Sequence, residues 1–357
     1  MREPLRYGRL KAFTGPRAEE RAHRAGTWAR ATLFGDANAK LWCRDNSIAL
    51  TKASAESPNT AGGFLVPDEL LRSIVNLREL AGAFRQAAEI VPMSRDTLNW
   101  PRRTGGLTAY FLAENTAPPE SQVTFDSIGL TAKKIGALVK MSSELADDSA
   151  ADIGEFLASE VAYAFAAKED DCGFNGDGTS TYGGMRGVAQ LILDGTHAAA
   201  KVTAATGHNT FGTLDATDLA ALIAAVQAIA LPGARWYCTV FAYANTFCRL
   251  AAANGGGHTA AMVNGRLEAS YLGFPIVISQ KLPQIGTSLS GSVMMLFGDL
   301  SLAAALGERR GVTVRRLAER FADADQIGIM GTERFNINVH DLGTNTAAGP
   351  IAGLVAP

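Results

Sequence analysis

The chain has 357 residues, and at the usual ~100–200 residues per domain it holds about two or three structural units. Hydrophobic residues make up 47% and charged residues 19%, enough apolar material for a real core, so global disorder and collagen-like repetition are excluded. The 33 Lys and Arg against 35 Asp and Glu leave a formal net charge of -2, which excludes nucleic-acid binding through overall charge but not through a local patch.

The charge is uneven along the chain. Residues 1–52 carry 11 Lys/Arg and 5 Asp/Glu, a balance of +6, and the remainder carries -8. A basic arm ahead of an acidic body can bind polyanions or lie on the acidic body of a neighbouring copy. The start, MREPLRYGRLK, has no apolar run after its charges, so no signal peptide is expected. Within the arm, PRAEERAHRAGTWARATLF reads as a helix. Pro16 sits in its first turn, Glu19 and Glu20 come early, and Ala22, Ala25, Trp28, Ala29 and Leu33 recur on one face. An ordinary amphipathic helix with a solvated basic face has the same pattern. TKASAESPNTAGG, punctuated by Pro58, Gly62 and Gly63, reads as a linker. Residues 64–81 then read as a short extended lead-in and a helix with Leu70, Leu71, Ile74, Val75 and Leu77 on its apolar face.

From Val91 to Met141 the texture changes. TLNWPRRTGGLTAYFLAE reads as two strands joined by a turn at Arg103–Gly106, and VTFDSIGLTAKKIGALVKMS as two more, with NTAPPES as an extended loop between them. Few large apolar residues occur per strand, and an isolated hairpin is marginal in water. This stretch is expected to lean on something else, another subunit included. DIGEFLASEVAYAFAAKEDDC is the clearest helix. Asp152 and Glu155 have capping-box spacing, and Ile153, Phe156, Leu157, Val161, Ala164, Phe165 and Cys172 follow at helical periods. At ~1.5 Å per residue it runs about 30 Å, long enough for a spine.

GFNGDGTSTYGGMRGV follows, a loop whose Gly173, Gly176, Gly178, Gly183, Gly184 and Gly187 suit left-handed or close-approach positions. TDLAALIAAVQAI, capped by Thr217, reads as an apolar helix ended by LPG. Trp236–Val240 reads as a strand, AYANTFCRLAA as a short helix, PIVIS and VMMLF as strands, ERRGVTVRRL as a hairpin-like turn and ERFNINVHD as the last strand. The tail LGTNTAAGPIAGLVAP reads as loop. Helices and strands mix without regular βαβ spacing, which makes the class α+β.

Chemistry is sparse. Cys43, Cys172, Cys238 and Cys248 are widely spaced with no CxxC, which speaks for reduced buried thiols over a disulfide scaffold or zinc site. The uncharged run between Asp218 and Arg235 spans 16 residues and contains Gln227, Pro232 and Gly233, short of the ~20 apolar residues of a membrane span. GxxxxGK[ST] is absent, and in NGDGTSTYGG the third glycine of a GxGxxG is Thr181. Asn175, Asp177 and Thr179 alternate as calcium ligands do, but Ser180 and Arg186 stand where the loop needs Gly and Glu. His23, His197, His208, His258 and His340 form no HExxH or i,i+4 pair. No nucleophile elbow is present, and Asp147–Asp148 and Asp170–Asp171 point ~100° apart on a helix. No catalytic residue, metal or cofactor is expected.

AGGFLVPDEL, AYFLAENTAPPES, KKIGALVKMSSELADDS with the helix after it, GFNGDGTSTYGGMRGV, LGFPIVISQKLP and LFGDLSLAAALGERRGVTV carry a family resemblance. In order and spacing they resemble the major capsid proteins of tailed phages with the HK97-type fold, from about Gly62 to about Asp341. The resemblance implies a basic N-terminal arm with a helix (1–61), the first part of a peripheral domain (62–90) and an extended hairpin loop (91–141). It implies further the rest of that domain, with a spine helix and the turn at Gly176, Asp177, Gly178, Gly183 and Gly184 (142–202). An axial domain (203–321) and a return strand with a C-terminal tail (322–357) complete the chain.

Subunits would form hexamers and pentamers of an icosahedral shell around double-stranded DNA touched without sequence preference. Assembly would take place in the host bacterial cytoplasm and end in the virion capsid, with a portal protein, room for a decoration protein, and no membrane partner. Candidate interface residues are Trp28 on the arm and Trp100, Tyr110, Phe111 and Phe125 on the loop, with Arg102, Arg103, Glu114 and Glu120 for charged contacts; core packing is the alternative for each aromatic. Some relatives weld their shells through a loop Lys, but no Lys lies between Lys52 and Lys133, and Arg stays charged, so no such cross-link is expected. Only about sixty residues precede the body, too few for the fused scaffold of some relatives, so a separate scaffold protein is expected. An encapsulin-like compartment of the same fold and a soluble oligomeric enzyme are the competing readings.

Overall fold

The computed structural model describes residues 13, 17–48, 50, 73–74, 77–78, 82–105, 111, 120, 122–142, 150–253, 260–263, 266–284, 288–317 and 326–357. The arm helix forms where its small apolar residues repeat. Helix α1 spans Ala18–Ala29 and a π-helical turn continues it over Arg30–Phe34. Asp36 then caps a second helix, α2, Ala37–Asp45, by accepting from the Asn38 and Ala39 N–H groups. Such a cap satisfies two of the donors a helix start leaves open. Ala22, Ala25, Trp28 and Ala29 turn inward against Leu157, Val161 and Phe165 of the long helix. The expected linker lies outside the described residues, as does most of the helix expected over 64–81; Ser73, Ile74, Leu77 and Arg78 of it are helical and buried. A short helix, α3, follows at Ala83–Ala87.

The long helix, α4, spans Ala150–Asn175, about 39 Å at 1.5 Å per residue. Asp152 thus lies inside the helix and is not the cap. Helix α4 lies across a four-stranded sheet of order β1-β11-β12-β4: Glu89–Pro92, Ala304–Leu317, Gln326–Val339 and Lys133–Ser142. Here ERRGVTVRRL is no turn. It is one continuous strand, and its register slips between Glu308 and Arg310 and again before Thr313. Gly311 among charges reads as a turn in sequence, but in a ladder it is accommodated by bulges.

The extended segment is also built otherwise than expected. Strand β2, Thr97–Gly105, takes in the first three residues of the expected turn, with its register slipping between Arg103 and Gly105, and pairs antiparallel with β3, Thr124–Thr131. Its base rests on its own subunit. Leu130 is fully buried, and Asn336 and Asn338 of β12 donate to the Thr131 and Gly129 carbonyls.

A seven-stranded sheet forms the other half of the body, in the order β5-β13-β10-β6-β9-β8-β7. Its strands are Lys201–Thr203, Ile351–Val355, Val293–Gly298, Arg235–Cys238, Phe274–Ile278, Arg266–Tyr271 and Ala260–Val263. The tail read as loop thus ends in a wholly buried strand between β10 and β5. IAGLV has no polar alternation because both of its faces are covered. A helix at Ala216–Ala224 packs on this sheet. Its cap is Asp215, in a reciprocal box with Asp218, and not Thr217, which is the second residue inside the helix. The sheets also redraw the expected boundaries: Ala304–Leu317 joins the four-stranded sheet, not the 203–321 unit, and Ile351–Val355 leaves 322–357 for the seven-stranded one.

Candidate subunit interface

The hairpin places its aromatic residues in three environments. Trp100 stands opposite Ile128 in the ladder, half-buried, with its ring edge-on to His340 at 6.4 Å. Arg102 donates to the His340 carbonyl and lies 3.4 Å from Asp126. Burial, and then the Arg102 charge, hold His340 below the ordinary histidine range. These two residues fasten the hairpin base to β12. Further out, Phe125 is 69% exposed and Phe111 is fully exposed, and Glu120 also faces solvent. Arg103 pairs with Phe125 through the backbone. Tyr110 and Glu114 lie outside the described residues.

Trp28 is different. It is 2% exposed, packed among α1 and α4 side chains of its own chain. Its ring is used up within the subunit, so the interface role expected for it is corrected to core packing that clamps the arm to the body.

The glycine-rich turn is likewise internal architecture. Gly178, Gly183 and Gly184 have positive φ, and Gly173, Gly176 and Gly187 are close approaches, since a Cβ on Gly176 would come within 2.6 Å of the Cys172 carbonyl. Asp177 accepts from Thr179, which holds its carboxyl below the usual range. The turn brings Gly183 against Lys133 at the start of β4.

Sequence reasoning missed a buried charge cluster. Arg85 grips Glu169 of α4 with two hydrogen bonds, 2.9 and 2.6 Å, and reaches Glu308 of β11 at 2.9 Å. Arg78 bonds Glu308 at 2.9 Å and also Glu333 of β12. Beside it, Asp170 caps α3 by accepting from the Ala83 and Phe84 N–H groups. Two guanidiniums meet three carboxylates here, and Glu333 Oε2 has no partner among the described residues. Desolvation and the Glu169 charge push Glu333 up to about 8, and desolvation pushes Asp170 up to about 6. A charged residue alone in an apolar stretch, such as Arg85 in AFRQA, was the available signal.

On the arm, Ala37, Lys40, Leu41, Arg44, Ile48 and Leu50 line an apolar groove of about 530 Å³. Among the described residues, one trio, His208, Asp215 and Asp218, brings three metal-capable side chains within 4.8 Å. Its oxygens already serve the helix cap and the His208 ring. Among the described residues no helix is long and apolar enough to cross a membrane.

An extended hairpin, a long helix over a four-stranded sheet and a second, seven-stranded unit together define the HK97-type fold of shell-forming proteins. The family model described as "Phage capsid family" matches residues 62–342, and the chain belongs to that family. It is 26% identical over 136 residues to the major capsid protein of Klebsiella oxytoca phage phiKO2, a match spanning 38% of this chain and about a third, 31%, of that protein. The capsid of an empty GTA particle aligns with TM-score 0.55 at 20% identity, over 88% of this chain and 98% of that one. The SrpI encapsulin of Synechococcus elongatus aligns with TM-score 0.52 at 13% identity, over 87% and 94%. At such identities these structures establish the fold.

Proposed function

We propose that this chain is the major capsid protein of a tailed phage, forming hexamers and pentamers of an icosahedral shell that encloses double-stranded DNA. The role is structural, with no catalysis. The observation that carries this reading is the hairpin of a family member. Its base is built into its own subunit through Leu130, Asn336 and Asn338, while Phe111 and Phe125 stand in solvent. Large aromatics left exposed, as on this strand pair and in the segment between its strands, are what a neighbouring copy covers. Contacts worth a few kcal/mol each, repeated around closed symmetry, give a stable whole from parts that can still leave and correct themselves.

On this reading the four-stranded sheet with α4 is the peripheral domain and the seven-stranded sheet the axial domain. Trp100, Arg102, Arg103, Tyr110, Phe111, Glu114, Glu120 and Phe125 belong to the loop that meets the neighbour. A portal protein occupies one vertex, a separate scaffold guides closure, decoration is accommodated outside, and the shell is assembled in the bacterial host's cytoplasm. The encapsulin likeness favours one second reading, a compartment that encloses protein cargo. Isolating the particles and measuring their content decides between them. Nuclease-protected double-stranded DNA is expected; particles filled with protein and free of nucleic acid would establish the compartment instead.

A further inference from the structure

His340, the residue after β12, has a fixed backbone and an unserved ring. Its N–H donates to the Ala303 carbonyl at 2.8 Å, and its own carbonyl accepts from Arg102 of the hairpin. Both ring nitrogens are shielded from water and have no hydrogen-bond partner among the described residues. A neutral imidazole brings one donor and one acceptor, and here neither is met. What stands against the ring is the hairpin, with Trp100 edge-on at 6.4 Å.

The charges around the ring do not favour a proton. Arg102 repels it, and Arg102 itself is drawn to Asp126 at 3.4 Å. Asp341, on the ring's own segment, attracts it, but that carboxylate also accepts from the Gly343 N–H at 3.1 Å. The helical turn Leu300–Ala303 supplies the Ala303 carbonyl, which does not titrate. A proton would turn both nitrogens into donors without acceptors and set a second cation beside Arg102. The rest of the hairpin base does not respond in this way, since it is held by buried Leu130 and by the amides of Asn336 and Asn338.

We infer that His340 is a proton-operated latch on the hairpin. Neutral, it seats Trp100 and Arg102 against the end of β12; charged, it opens that contact and the hairpin swings about its anchor at Leu130. The latched form takes up a proton less readily than the open one. The latch is therefore complete above the ordinary histidine range and is lost as pH falls through and below it. Acid frees the angle at which the hairpin leaves its own subunit. The latch belongs to the single subunit, and its test does not depend on shell closure.

The test is hydroxyl-radical labelling of the dissociated full-length chain at pH 7.5 and pH 5, read residue by residue in a mass spectrometer. Labelling of Trp100 should at least double at the lower pH relative to Trp236, which is fully buried. His340→Phe keeps a ring without a titrating nitrogen, and His340→Gln keeps a polar group that cannot charge. Either variant should remove the rise. Equal labelling of Trp100 at both pH values in the unaltered chain overturns the latch. So does a rise that persists in the variants, which would trace the loosening to the ionic cluster instead. Should both variants fail to fold, the unaltered chain decides by itself. The midpoint of the labelling rise should coincide with the titration of the His340 ring followed by NMR, and a rise where that ring does not change charge overturns the proposal.

Discussion

Behind the seven-stranded sheet, Trp236 meets Phe297 at 4.3 Å and Phe247 at 5.3 Å, and Phe247 meets Tyr271 at 5.2 Å. Behind the four-stranded sheet, beside the apolar contacts of α4, lie Arg78, Arg85, Glu169, Glu308 and Glu333. Both sets are buried, with Glu308 alone partly exposed, yet they hold their strands by different means. The aromatic set carries few polar groups, and the Trp236 N–H among them donates to the Tyr271 carbonyl at 3.1 Å. Its contribution is area and shape, which do not change with protons. The ionic set binds α3, α4, β11 and β12 through directed bonds, and each bond depends on the charge of its partner. A buried pair adds little net stability over an apolar replacement, but removing one member leaves an uncompensated charge. The contrast divides the body into a unit fixed by shape and a junction fixed by protonation.

The largest effects should come from deleting one key residue in each place. Arg85→Leu leaves Glu169 buried without its two bonds and takes one of Glu308's partners; about 3–5 kcal/mol of stability should be lost. Trp236→Ala should lose a similar amount, about 3–5 kcal/mol, as cavity and lost contact. Urea unfolding of dissociated subunits at pH 5 and pH 8 separates the two. The Arg85 variant should suffer less at pH 5, where the stranded carboxylates can take up protons, whereas the Trp236 deficit should be the same at both. Equal deficits at both pH values for Arg85→Leu would erase the contrast.

A smaller effect should come from Glu333→Gln. Burial among more carboxylates than cations raises Glu333 to about 8. A raised acid favours the folded state while protonated, so its contribution is complete below the usual Glu value and fades as pH climbs through about 8. Glu308, held low by Arg78 and Arg85 against its own desolvation, works in the opposite sense, and its contribution fades in acid. Asp170, raised to about 6, is largely ionised only above about pH 7, and Glu333 goes on losing its proton beyond that. The unfolding midpoint of the unaltered chain should fall between pH 6 and pH 8, and the Gln variant should fall less. A steeper fall in the variant would place the proton elsewhere in the cluster.

How much of this was legible depends on how local the signal was. Helix α4 and the five glycines after it, from Gly176 to Gly187, announce themselves, because period and turn chemistry are properties of neighbouring residues. The turn expected at Arg103–Gly106 failed for the same reason. Two glycines are a strong local signal, but Thr97–Gly105 finds its partner at Thr124–Thr131, and only pairing across the long loop decides that. IAGLV was too short and too evenly apolar to be told from a loop, since its covering strands come from distant parts of the chain. The ionic junction left only the faint signal of Arg85 in its apolar stretch: Arg78 and Glu333 are 255 residues apart, and each looks like a surface charge in its own segment. Trp28 and Phe125 were equally good interface candidates in sequence. What separates them is α4, which covers one and leaves the other bare.

The smallest effect on the subunit should come from Phe125, which belongs to neither core. It is 69% exposed, so Phe125→Ser removes almost no internal contact, and surface changes of this kind stay within about 0.5 kcal/mol. Urea unfolding of the dissociated subunit should be unchanged, in contrast to Arg85→Leu and Trp236→Ala. Particle yield in sedimentation should nevertheless drop, because on the shell reading the ring is lost from a surface that a second copy covers. The separation matters more than either result alone. A variant that unfolds no more easily but no longer closes shells locates Phe125 in the contact between copies, whereas normal yield returns it to the ordinary solvent-facing side chains.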